Sequence, residues 1–220
     1  MSPTRRLFDN ELTELQNSIL NLGNLVQQAI DSAIKALANQ DADLAQRVMD
    51  GDDLIDKMAL DIEDKCIRLI VTQQPIAKDL RKIGTGIRIG VDLERMGDHA
   101  YNIAKIALKL SEEKLIKPLI DIPKMADLTQ EMVNNVLLAY VHGNPQAAVD
   151  VCKADDQIDH LYKMVFDELL EIMIKQPKTI QQATSLLFVC RFLERIADHA
   201  TNIGEAVIYL ETGERKKLNI

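Results

Sequence analysis

The chain has 220 residues, of which 47% are hydrophobic and 27% charged, so it holds ample apolar material for a packed core and is not a disordered chain. Its formal net charge of -8 argues against nucleic acid or an anionic membrane surface as the main partner, because both demand a basic face. Only 4% of residues are aromatic, and Gly and Pro number nine and six. Sheet proteins need frequent turns and favour aromatic and β-branched residues. This composition instead predicts an all-α fold of long helices joined by few loops.

Cys66, Cys152 and Cys190 are odd in number, widely spaced and without a C-x-x-C pair. That pattern argues against a disulfide framework and a thiolate zinc site and points to a reducing, cytoplasmic setting. The opening Met1-Ser2-Pro3-Thr4-Arg5-Arg6 leads into no signal-peptide core of about 7–15 apolar residues. No run approaches the ~20 apolar residues of a membrane span, so no direct membrane insertion is expected.

In chain order, a first helix is predicted over 7–38, closed by the turn Asn39-Gln40-Asp41. A second follows over 42–72. Pro75 opens a third over 76–111, since proline suits the first turn of a helix and not its interior. Lys117-Pro118 through Ile122-Pro123 mark a junction. A fourth helix spans 123–142, and the turn His142-Gly143-Asn144-Pro145 leads into a fifth over 145–175. Pro177 opens a sixth over 178–212.

The second half repeats the first. Leu93-Glu94-Arg95-Met96-Gly97-Asp98-His99-Ala100-Tyr101-Asn102-Ile103 returns as Leu193-Glu194-Arg195-Ile196-Ala197-Asp198-His199-Ala200-Thr201-Asn202-Ile203. Asp52-Asp53-Leu54-Ile55-Asp56 returns as Asp155-Asp156-Gln157-Ile158-Asp159, and Gln74-Pro75 as Gln176-Pro177. Three landmarks in one order predict two tandem three-helix bundles, 1–115 and 116–220, related by an internal two-fold. In the third helix, Ile89, Leu93, Met96, Ala100, Ile103, Ala107 and Leu110 form a core stripe, which Val189, Leu193, Ile196, Ala200, Ile203, Val207 and Leu210 repeat in the sixth.

Within these landmarks four acidic pairs stand four residues apart: Asp52 with Asp56, Glu94 with Asp98, Asp155 with Asp159, and Glu194 with Asp198. That spacing puts both carboxylates on one helix face, where they repel. One such pair is ordinarily solvated surface. Four at repeated places make a compensating cation an equal contender. Glu94 and Asp98 point away from the core stripe, on a face whose upstream part, Leu80, Ile83, Ile87 and Val91, reads as covered by a neighbour. In an antiparallel hairpin the start of the second helix lies beside the end of the third, so the two pairs of a unit can converge. The sequence does not fix whether partners come from within a unit or across the two. Oxygen-rich sites suit Mg²⁺, Mn²⁺, iron or Zn²⁺, and four carboxylates exceed what one tetrahedral ion needs. His99 and His199 sit about 100° round the helix from the motif aspartates and are the lesser ligand candidates. Arg95 and Arg195 are expected to pair with nearby acids.

Asp92-Leu93-Glu94-Arg95-Met96-Gly97-Asp98-His99-Ala100-Tyr101-Asn102-Ile103-Ala104 resembles the D-L-E-R-I-G-D-x-A-x-N-I-A core of the PhoU family. Phe8-Asp9-Asn10-Glu11-Leu12 and Gln74-Pro75-Ile76-Ala77-Lys78-Asp79-Leu80-Arg81 resemble the family too, and the likeness runs from residue 8 to about 212. The second copy departs in having Ala197 for Gly97. The resemblance implies a cytoplasmic, non-catalytic negative regulator of phosphate uptake and phosphate-starvation signalling. It also implies multinuclear metal clusters, of iron or zinc, on the acidic motifs. The expected partners are the ATPase subunit of the phosphate ABC transporter, a membrane-bound sensor histidine kinase, and a second copy in a homodimer. Two rivals remain at this point: a metal-free helical adaptor, and a carboxylate-bridged di-metal enzyme. The latter ordinarily uses Glu-x-x-His, whereas Glu94 to His99 and Glu194 to His199 are five apart.

Overall fold

The computed structural model describes residues 3–218; residues 1–2 and 219–220, the outer ends of the two expected units, lie outside the described residues. The described residues are mostly helical and hold no strand. The helices are α1 (Pro3–Asn39), α2 (Ala42–Asp50), α3 (Asp52–Gln73), α4 (Ala77–Leu110), α5 (Asp121–His142), α6 (Pro145–Lys175) and α7 (Ile180–Thr212). A 3-10 turn over Pro177–Thr179 leads into α7.

Local chemistry sets the breaks. Asp41 caps α2 by accepting from the Leu44 N–H at 2.8 Å, and Asn144 caps α6 by accepting from the N–H groups of Gln146 and Ala147. Pro145 then occupies the first turn, where a missing N–H is harmless. Gly143 ends α5 in the left-handed region at φ 58. The expected second helix is not continuous. It bends at Gly51, whose N–H turns back to the Arg47 and Val48 carbonyls, and α3 restarts at Asp52. The second unit has Ala154 at the matching place, and α6 runs unbroken.

Both core stripes are buried at every position. On α4, Gly86, Gly90 and Gly97 face Cys66, Ile62 and Ile55 of α3, so the two helices run antiparallel at close range. α4 and α7 also run antiparallel along the middle of the molecule. Lys78 pairs with Glu211 at 2.7 Å and Arg88 with Glu205 at 3.6 Å, and Arg81 donates to the Leu210 carbonyl. Helices of both copies contribute to one hydrophobic cluster. One expectation fails: Leu80 and Val91, read as covered, are exposed, while Ile83 on the same face is buried. No helix among the described residues is long and apolar enough to cross a membrane.

Candidate metal centre

In the first unit the bend at Gly51 puts Asp52 at the start of α3, and the α3–α4 contact carries it to the motif of α4. Gly97 makes the approach possible: a Cβ there would lie 2.8 Å from Ile55 Cγ2. One oxygen each of Asp52, Asp56 and Asp98 lie within 4.8 Å of one another. Ligands at ~2.0–2.6 Å from one ion stand up to about 4–5 Å apart, so the spacing suits a shared cation. Burial pushes the Asp52 carboxyl up to about 6, and the charges of Asp56, Asp98, Asp53 and Glu94 add to it. Glu94 is raised by burial and by Asp98, with Arg95 opposing. Arg95 pairs with Asp98 at 3.0 Å and with Glu94 at 3.4 Å, as expected for that arginine.

In the second unit Asp155 is 7% exposed. Burial pushes its carboxyl up to about 7, helped by Asp198, Asp159, Glu194 and Asp156. Glu194 is raised by burial and by Asp198, and Arg191, paired with it, opposes. The set is looser: among the described residues, only the first unit brings three such oxygens within 4.8 Å. α7 carries Ala197 where α4 carries Gly97. Of the eight expected carboxylates, Asp52, Asp56 and Asp98 stand at ligand spacing; Glu94 feels the charges of its own unit, and Asp155, Asp159, Glu194 and Asp198 of the second act on one another electrostatically.

These residues fit a cation. Asp56 Oδ1, Asp155 Oδ1 and Glu194 Oε2 are buried with no hydrogen-bond partner, a condition that native proteins ordinarily avoid. The donors are all oxygen, which selects hard or borderline ions. The cysteines take no part: all three are buried and free, and burial pushes each thiol up to about 12.

The two sites open on one groove of about 700 Å³, lined by Asp52, Asp98 and Asp198 and by Arg95, Arg195, His99 and His199 among others. The two imidazoles lie 5.7 Å apart there. His199 Nδ1 meets Asp92 Oδ1 at 2.9 Å, whereas His99 stacks on Phe192 at 5.6 Å. Burial drives the His99 imidazole down to about 4, with the charges of His199 and Arg195 next.

Residues 19–107 and 122–207 each match the PhoU domain. The chain belongs to the PhoU family. It is 44% identical over 217 residues to the "phosphate-specific transport system accessory protein PhoU homolog" of Clostridium acetobutylicum, covering 98% of this chain and 99% of that one. The homolog of the same name from Aquifex aeolicus is 44% identical over 209 residues, covering 95% and 94%. In three dimensions the chain superposes on the crystal structure of PhoU from Pseudomonas aeruginosa with a TM-score of 0.90 at 35% identity, covering 94% of this chain and 100% of that one. For the PhoU structure from Streptococcus pneumoniae the TM-score is 0.89 at 36% identity, covering 96% and 99%.

The first four site carboxylates fall in the first PhoU match and the other four in the second. The sequence reading missed Asp92, although position 92 carries Asp and its repeat partner 192 carries Phe, a visible departure. It also missed Arg191 beside Glu194, and it noted Gly97 only as a departure between copies, without its steric role.

Proposed function

We propose that this protein is an accessory protein of phosphate uptake that represses phosphate-starvation signalling by binding partners, with no turnover of its own. The observation that carries the reading is 44% identity across nearly the whole length of a relative named for the phosphate-specific transport system. Its partners are the ATPase subunit of the phosphate ABC transporter and a membrane sensor histidine kinase, met in the cytoplasm by a homodimer of two-unit chains, 1–115 and 116–220. Exposed apolar side chains at the α3–α4 end, Ile67, Val71 and Ile76, and at the α6–α7 end, Leu170, Ile174 and Ile180, supply docking area.

The two carboxylate sets hold metal ions, iron or zinc by family resemblance, with Mg²⁺ or Mn²⁺ also suited to oxygen donors. A bound cation there neutralises clustered charge and fixes α3 against α4 and α6 against α7. The residues hold those helices in register and present the surfaces that partners meet.

Deleting the gene is expected to switch on phosphate-starvation genes in abundant phosphate. Unchanged phosphate-regulated transcription and uptake in the deletion strain would end the regulatory reading. Replacing Glu94, Asp98, Glu194 and Asp198 by Ala is expected to lower the metal content of protein purified without chelator. If that variant folds and still represses fully, the metal is not part of the switch.

A further inference from the structure

Asp92 lies outside both acidic sets, yet it is 7% exposed and faces the opposite copy. Its Oδ1 meets His199 Nδ1 at 2.9 Å and accepts from Asn202 Nδ2 at 3.4 Å. Asp92 sits two residues before Glu94 of the first site, and His199 directly follows Asp198 of the second. The bond therefore ties the backbone of one site to the backbone of the other. The internal two-fold would place a matching bond between position 192 and His99. Phe192 stands there instead, and the rings stack without a directional bond. Beside it Phe188, 54% exposed, replaces the Arg88 that pairs with Glu205 in the other half. The α4–α7 crossing is hydrogen-bonded beside the acidic sites on one side and aromatic on the other, and Asp92–His199 is the cross-copy bond that lies next to both acidic motifs.

We propose that Asp92 and His199 form a positioning lock between the two acidic sites, so that a divalent cation held in one strengthens binding in the other. The proposal rests on the metal-binding reading above. A part-buried, charge-assisted bond has a narrow range of geometry. An ion that orders Asp198 orders the adjoining His199, which then holds Asp92 and the turn of α4 that carries Glu94. Coupling of this kind is reciprocal, so the first site acts on the second by the same factor. The charges of the two sets also act on one another across the groove they share, a second route that needs no bond.

The test is a Mn²⁺ titration of the full chain, reading free ion by its electron paramagnetic resonance signal. The first-site affinity is compared with the second set intact and with it disabled by Asp155→Asn and Asp159→Asn. In the native background, disabling the second set is expected to weaken the first site about fivefold, the low end of measured couplings. With Asp92→Phe, which makes position 92 match its repeat partner Phe192, first-site affinity is expected to be the same whether the second set is intact or not. Asp92→Asn keeps an acceptor for His199 and is expected to restore most of the coupling. Should Asp92→Phe fail to fold, by circular dichroism and melting, His199→Ala removes the bond from the other side. An equal drop in both backgrounds means the field alone couples the sites and overturns the lock. So does a native first site indifferent to the second. A native protein that binds no Mn²⁺ overturns the metal reading as well, which the other outcomes leave standing.

Discussion

Gly97 and Ala197 hold the same place in the two motif helices, and the unit with the glycine is the one whose carboxylates stand closer. Ile55 opposite Gly97 is buried and β-branched, so it has little freedom to swing aside. Gly97→Ala gains about 1 kcal/mol of helix propensity and loses about 1–3 kcal/mol to overpacking. A small net destabilisation of about 1 kcal/mol is expected by urea unfolding. The larger consequence falls on the site, because moving α3 outward carries Asp52 and Asp56 away from Asp98. First-site Mn²⁺ affinity is expected to fall by roughly tenfold, in the range seen when groups that position ligands are lost, and second-site affinity by no more than the coupling of about fivefold. Unchanged affinity in a folded variant would show that the close packing does not set the donor spacing.

At the scale of helices, α6 and α7 come close at Gly204, where a Cβ would lie 2.9 Å from Cys152 Sγ and 3.2 Å from the Ala148 carbonyl oxygen. The carbonyl belongs to the backbone and moves only with the helix. Gly204→Val should therefore push α6 off α7 and destabilise the chain by about 2–3 kcal/mol, as overpacked cores do, seen as a lower urea midpoint. An unchanged midpoint would mean that the helix pair has slack. Most helix limits were legible because proline, Gly143 and the caps Asp41 and Asn144 punctuate the chain, and the repeat confirmed each landmark twice. The break at Gly51 was not. A lone glycine is tolerated inside a helical pattern, and its backbone, φ -81 and ψ -12, is one that any residue adopts. Leu80 and Val91 misled because periodicity reports a shared face and not what covers it. The eight carboxylates were legible from spacing plus repetition. Their unequal tightness was not, because it lies in how helices pack, as where Ile55 meets Gly97, and not in the spacing along one helix.

For the molecule as a whole, the carboxylate sets set how stability follows pH. Asp52 and Asp155 are pushed up to about 6 and about 7, and Glu94 and Glu194 are raised too, mainly by burial. Unfolded, such groups titrate near ~4. Between about pH 4 and 7 the folded chain therefore binds more protons than the unfolded one, and stability falls as pH rises. His99 acts in the opposite sense. Its imidazole is lowered to about 4 by burial, against ~6.5 unfolded, so it favours folding as pH rises across that interval. Four groups oppose one, and above about 6.5 His99 contributes no further slope while Asp155 still does. The metal-stripped protein is expected to melt higher at pH 5 than at pH 7.5. A bound cation needs the deprotonated carboxylates, so it competes with protons and its stabilisation grows with pH. Excess Mn²⁺ is expected to raise the melting temperature more at pH 7.5 than at pH 5, flattening or reversing the slope. A metal-stripped protein that melts higher at pH 7.5, or a Mn²⁺ effect independent of pH, would mean that the clustered carboxylates are not the groups that the ion engages.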